Sequence, residues 1–172
     1  RPSTPHAVPS RLRRGSSLLL VVDVQERLAP HVLGHEALVA RTAALLDVAG
    51  RYGIPCFATE HLPEHIGPTI AALRPRFAPE AIFAKTRFGA HDHPEFAAML
   101  AATGRTQAVL CGMETHVCVL QTALGLAAAG YEVFVVGDAT GSRPARQDDR
   151  RHAIYPMRGA AGVGPATEPT RS

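Results

Sequence analysis

Three residues far apart in the chain, Asp23, Lys85 and Cys118, have the chemistry of one reacting set. Asp23 lies at the end of the apolar run "SLLLVVDV", Lys85 near the end of "AIFAKT", and Cys118 shortly after "TQAVLCGM". Cys118 also opens the apolar, helix-like segment "VCVLQTALGLAAAG". A helix N-terminus favours anions, so a thiol there is expected at a lowered pKa, as thiolate. Backbone N–H groups of the same turn can hold a developing oxyanion. A carboxylate at the end of a strand buried on both faces is costly unless something compensates it. Beside a thiol and a cation, Asp23 could accept the thiol proton and pass it on to a leaving amine. Lys85 between the two would favour the thiolate and keep the carboxylate charged. Each residue has a plainer reading as well: an inert buried thiol, a loop-orienting carboxylate, a lysine that snorkels to solvent. Residue type and position leave both readings open.

The elements that must position these residues alternate along the chain. "SLLLVVDV" is a continuous apolar run, as expected of a central strand covered on both faces. "HEALVARTAALLDVAGRYG" has helical spacing and stops at Gly53. "IPCFATE" and "AIFAKT" read as strands, with "TIAALRPRF" between them as a short helix interrupted by Pro75. "HPEFAAMLAATG" is a helix with Pro94 in its first turn, and "TQAVLCGM", "VCVLQTALGLAAAG" and "YEVFVVGDA" follow as strand, helix and strand. This is an α/β domain with a doubly wound, mostly parallel sheet and right-handed crossovers. Ligands bind such sheets beyond the carboxyl ends of the strands, where Asp23, Lys85 and Cys118 fall. Residues 1–16 read as a flexible arm, 17–158 as the domain and 159–172 as an irregular tail, because Pro156 and Gly159 break the last helical pattern.

Composition narrows the function classes. The chain has 172 residues, 46% hydrophobic and 19% charged, enough for one domain with a substantial core. Its net charge of +3 comes largely from "RLRRG" and "RQDDRRH" near the ends. No aromatic residues interleave those arginines to stack on bases, so solvated charge is expected rather than nucleic-acid binding. No apolar run reaches transmembrane length, and no apolar stretch of signal-peptide type opens the sequence. The three cysteines Cys56, Cys111 and Cys118 suit no disulfide framework. An odd count suggests a reducing, cytoplasmic setting, and Cys56 and Cys111, lying within strands, read as structural thiols. Two histidine groups could suggest zinc: His61, Glu64 and His65 in "TEHLPEH", and His91, Asp92 and His93. Nothing in the spacing fixes a third ligand, so no metal is expected.

The strings "LLLVVDVQERL", "AKTRFGA" and "GMETHVCVLQTAL" resemble, in order, the isochorismatase-like cysteine hydrolases, a superfamily that includes nicotinamidases and other amidohydrolases. The resemblance runs from about Ser17 to Ser142. It implies a three-layer α/β/α fold with a mostly parallel six-stranded sheet, and a Cys–Asp–Lys triad on Cys118, Asp23 and Lys85. It also implies a non-proline cis peptide between Met113 and Glu114, with the backbone N–H groups of Glu114 and Cys118 as oxyanion donors. It implies no cofactor, a small-molecule substrate and a homo-oligomer. Neither nucleic acid nor membrane is expected as a partner. Pocket walls are expected at Leu28, His61, Phe88 and Val117, near strand ends.

Three departures sharpen the resemblance. Nicotinamidases carry an Asp–His–His metal site in a "D-x-H" pattern, but His61 stands in the place of its Asp and Pro63 in that of its first His. Isochorismatases proper cleave a vinyl ether without this cysteine, so Cys118 argues against that reaction. After "AAGV" the chain runs into "GPATEPTRS", and the final strand and helix are expected to be missing or altered. The leading expectation is hydrolysis of a small amide or related C–N bond through a thioester. The alternative is a catalytically idle, or differently reacting, oligomeric scaffold of the same fold.

Overall fold

The computed structural model describes residues 11–144 and the backbone of residues 160–163. Six parallel strands form one sheet: β1 (Ser17–Val22), β2 (Cys56–His61), β3 (Ile82–Lys85), β4 (Gln107–Met113), β5 (Glu132–Gly141) and β6 (Ala160–Val163), in the order β3-β2-β1-β4-β5-β6. From β1 the chain winds outward through β2 to β3, then returns to place β4 on the other side of β1. The crevice between β1 and β4 is therefore the topological switch point, where doubly wound sheets bind ligands.

The helices are α1 (His35–Arg51), the single turn α2 (Pro63–Ile66), α3 (Pro94–Ala101) and α4 (Leu120–Ala128). Strand β1 is buried along its whole length, and its side chains alternate between two cores. Leu18, Leu20 and Val22 pack with Phe96 and Leu100 of α3 and Ala123 and Leu126 of α4. Leu19 and Val21 pack with Leu38, Leu46 and Ala49 of α1. These are the two faces of a three-layer α/β/α domain. The site residues stand on its upper edge.

Four sequence expectations change. "TIAALRPRF" forms turns and a short 3-10 segment, Arg74–Arg76, instead of an α-helix, because Pro75 lacks the N–H that an α-helix would use. The tail is not wholly irregular: its Ala160–Val163 pairs in parallel with Val133–Val136 of β5, so a final strand is present. Four small or β-branched residues are too short a run to announce a strand alone; an existing edge supplies the partner. Of the expected flexible arm, Arg11 and Arg13 are tied to the core by Gln107, whose amide donates to Arg11 O at 3.0 Å and accepts from Arg13 N–H at 2.8 Å; residues 1–10 and the rest of the tail lie outside the described residues. Finally, Cys118 does not begin an α-helix. It sits inside a π-helical turn, Thr115–Val119, that precedes α4.

Candidate active site

Asp23 is the first residue beyond β1, fully buried, with φ +51°. A non-glycine residue in this left-handed region is uncommon and is held only where neighbours over-determine it. The Asp23 N–H donates to Thr59 O at 3.1 Å, its carbonyl accepts from Gln25 N–H at 3.0 Å, and its Oδ1 accepts from Thr59 Oγ1 at 2.7 Å. The turn thus aims the second oxygen, Oδ2, across the strand ends to Lys85 Nζ at 2.8 Å.

Lys85 closes β3 and is 1% exposed, so it does not snorkel to solvent. Its ammonium has three protons and five acceptors close by. They are Asp23 Oδ2 at 2.8 Å, Arg87 O at 3.1 Å, Phe88 O at 3.2 Å, His61 Nδ1 at 3.3 Å and Cys118 Sγ at 3.4 Å. The structure therefore brings Asp23, Lys85 and Cys118 into one buried cluster.

The electrostatics of Cys118 reverse the sequence expectation. Burial, and next the adjacent Asp23 carboxylate, push the thiol up to about 12; Lys85 pulls the other way but does not prevail. The neutral thiol is thus favoured over the thiolate, with the Lys85 ammonium 3.4 Å from Sγ opposing the trend. Position in a turn could not reveal this, because the carboxylate's effect depends on a contact between residues 95 apart in the chain (118 against 23). Cys56 and Cys111 are raised to about 11 and about 12, chiefly by burial, and lie away from this cluster.

The strand that delivers Cys118 approaches β1 closely. Gly112 has φ +123°, and a Cβ there would lie 2.0 Å from Val22 O. Only glycine fits such a place. The next peptide bond but one to follow, Met113–Glu114, is cis. The Glu114 carbonyl then accepts from both Val117 N–H and Val119 N–H, each at 3.1 Å, which fixes the turn on either side of Cys118.

Beside this cluster, across His61, Arg87 and Phe88 that contact the Lys85 ammonium, lies an open cleft of about 500 Å³ lined also by Thr86, Asp92 and Gln121, among others. Of the four expected pocket residues, His61 and Phe88 line it, with ring centroids 5.3 Å apart. Leu28 and Val117 are partly buried against the two cores instead. The pKa of His61 is lowered, first by burial and then by Lys85. Neither histidine group gathers as a ligand set. His61 Nδ1 faces Lys85 Nζ, His93 Nε2 accepts from the N–H groups of Thr86 and Arg87, and no cluster of three or more His, Cys, Asp or Glu suited to a metal occurs among the described residues.

Several supporting side-chain contacts were not foreseen from sequence. Buried Gln25 bonds both backbone groups of His61, accepting from its N–H at 2.8 Å and donating to its carbonyl at 2.9 Å, and donates to Gly67 O at 2.8 Å. Glu60 is nearly buried, paired with Arg74 at 3.0 Å and bonded by Thr69 N–H. The Glu114 carboxylate is paired with Arg143 at 2.8 Å. Thr59 and Gln25 could have been found as polar residues inside or just after apolar runs; the Arg143 contact has no local signal.

The isochorismatase domain model matches residues 17–167. The chain belongs to the isochorismatase family. Isochorismatase domain-containing protein 1 of Danio rerio is 36% identical over 132 residues, 77% of this chain and 46% of the relative; the chain thus spans less than half of that relative's length. Among solved structures, the MAR1 ribonuclease of Caenorhabditis elegans is 34% identical with a TM-score of 0.72, covering 78% of this chain and 69% of that one. The YcaC gene product of Escherichia coli, described as an octameric hydrolase of unknown specificity, is 29% identical with a TM-score of 0.73, covering 81% of this chain and 69% of that one. The family match and these neighbours agree with the α/β/α fold. No helix among the described residues is long and apolar enough to cross a membrane.

Proposed function

We propose that this isochorismatase-family chain is a cysteine hydrolase that cleaves a small amide or related C–N bond through a thioester. The observation that carries the reading is the shared ammonium: Lys85 Nζ stands 2.8 Å from Asp23 Oδ2 and 3.4 Å from Cys118 Sγ, all three groups buried. At rest the Asp23 carboxylate holds the Lys85 ion pair and accepts the Cys118 thiol proton bond. As sulfur attacks the substrate carbonyl, that proton passes to Asp23. Negative charge moves from the carboxylate to the acyl oxygen, and Lys85 Nζ is already within reach of both the carboxylate and the sulfur, so the cation need not move far.

The oxyanion is held by the Glu114 and Cys118 backbone N–H groups. The C–N bond breaks, the amine leaves with the proton from Asp23, and a thioester remains on Cys118. Asp23 then deprotonates water, which releases the acid and restores the thiol. A general base of this kind contributes about 10²–10⁴-fold. The cleft of about 500 Å³ suits a small substrate rather than a polymer segment. A homo-oligomer, as in the octameric E. coli relative, and a cytoplasmic setting belong to the same reading.

The ribonuclease name of the C. elegans neighbour is not carried over. Phosphodiester cleavage makes no use of a thiol acyl carrier, and this site is centred on one. The test is a panel of small amides assayed for ammonia or amine release by wild type and Cys118→Ala, with a single-stranded RNA in the same panel. Turnover of an amide lost in Cys118→Ala is expected. Full turnover in Cys118→Ala, or cleavage of RNA alone, would sink the reading.

A further inference from the structure

The segment "GSR" at the end of β5 reaches across to the turn that carries Cys118. Arg143 Nη2 and Nε lie 2.8 and 3.1 Å from Glu114 Oε1, and the Arg143 N–H donates to Glu114 Oε2 at 3.2 Å. Ser142 Oγ accepts from Thr115 N–H at 3.1 Å and meets His116 Nδ1 at 2.9 Å, while Ser142 O accepts from Leu33 N–H at 3.3 Å. Glu114 is 8% exposed, so its carboxylate needs compensation that water does not supply. Its own carbonyl accepts from the residues on both sides of Cys118. Glu114 is thus fixed at its side chain by β5 and at its backbone by the π-turn.

We infer that Arg143, with Ser142, is a positioning residue that clamps Glu114 so that the backbone N–H groups of Glu114 and Cys118 meet the oxyanion. The inference rests on the cysteine-hydrolase reading above. Its mechanism is geometric: oxyanion donors act only when aimed at the place where charge develops, and misplacement by about 1 Å can cost about 10²-fold. Neither side chain touches the reacting atoms. Arg143 is 60% exposed at its side chain, so its place can be refilled from solvent.

The experiment compares two reactions of Cys118 in the full chain. Acylation by p-nitrophenyl acetate forms the S–C bond, expels nitrophenolate and passes through a tetrahedral oxyanion. Alkylation by iodoacetamide expels iodide and forms no oxyanion. Both are corrected for the background of Cys118→Ala. Arg143→Ala is expected to slow acylation about 10–100-fold while alkylation stays within about threefold. Millimolar guanidinium should restore acylation in Arg143→Ala but not in Glu114→Gln, and Arg143→Lys should fall between.

Equal losses in both reactions would mean general disruption of the turn and overturn the inference. So would acylation unchanged in both Arg143→Ala and Glu114→Gln, or a loss that guanidinium leaves untouched while thermal stability drops in parallel. If the cysteine-hydrolase reading itself fails, the sign is different: Cys118→Ala then releases nitrophenolate as fast as wild type does, and no acylation of Cys118 is left to compare.

Discussion

A Cβ on Gly112 would fall 2.0 Å from the carbonyl oxygen of Val22 and 2.7 Å from its nitrogen. The residue that leads into the Cys118 turn thus lies against the residue that precedes Asp23. Two of the three clustered groups, Asp23 and Cys118, are held in mutual register through a point where no side chain fits. Gly112→Ala must either push β4 from β1 or abandon φ +123°, and is expected to cost about 3 kcal/mol. Urea unfolding checks it. A midpoint unchanged from wild type would show that the strands yield without cost.

Asp23 and Lys85 pull the Cys118 thiol in opposite directions, and Asp23 acts with burial. Asp23→Asn removes the carboxylate and leaves the cation. Alkylation of Cys118 at pH 8 should therefore rise above wild type, while amide turnover falls about 10²–10⁴-fold with loss of the base. Iodoacetamide kinetics and amide turnover on one preparation separate the two effects. Slower alkylation in the variant would contradict the charge arrangement.

Cys111 is fully buried, and its pKa is raised to about 12, as that of Cys118 is, while Cys56 reaches about 11. An unfolded cysteine titrates near about 8.5. Below that pH each thiol is neutral folded or unfolded, and its contribution is complete. Above it the unfolded chain releases protons that the folded chain keeps, so stability falls as pH rises toward 11–12. For buried Cys111 the slope within that window is about 1.4 kcal/mol per pH unit. Cys111→Ala should be less stable at pH 7 through its small cavity, yet show a shallower decline between pH 9 and 10. Melting curves across that range test this.

His61 behaves in the opposite sense. Its pKa is lowered, chiefly by burial and then by Lys85 at 3.3 Å. The unfolded chain takes up this proton first as pH falls below about 6.5, so stability is complete above that value and declines below it until the folded form also protonates. Asp23 opposes the shift. His61→Gln should flatten the loss between pH 6.5 and 5, and the wild-type His61 ring signal in NMR should titrate below that of an exposed histidine. A ring that titrates at or above about 6.5 would contradict the assignment.

Much of this arrangement was legible in the sequence because it follows from local pattern. The unbroken apolar run before Asp23 announced a strand buried on both faces, and strand–helix alternation announced a parallel sheet. The rule that ligands bind beyond strand ends then placed Asp23, Lys85 and Cys118 on one edge, and the resemblance added roles. What was not legible depends on partners distant in the chain. The upward shift of the Cys118 pKa follows from its burial and then from its contact with Asp23. The hold of Arg143 on Glu114 follows from where β5 ends. The strand Ala160–Val163 has no strong pattern of its own and takes its conformation from the neighbouring edge of β5. Pro75 was read correctly as an interruption, yet the few residues before it did not keep an α-helix.

Strand β3 stands outermost in the sheet, four residues long and paired only with β2. It carries Lys85, the ammonium on which Asp23 and Cys118 both depend. A slip of β3 by one residue would turn Lys85 to the opposite face, and fraying of that edge would strand a carboxylate and a thiol without their cation. The charge balance of the reacting cluster is therefore fastened by the sheet's margin while its other two members issue from the interior. On the proposed mechanism, local opening at β3 would stop the chemistry while the interior strands stay paired, so loss of activity would precede global unfolding.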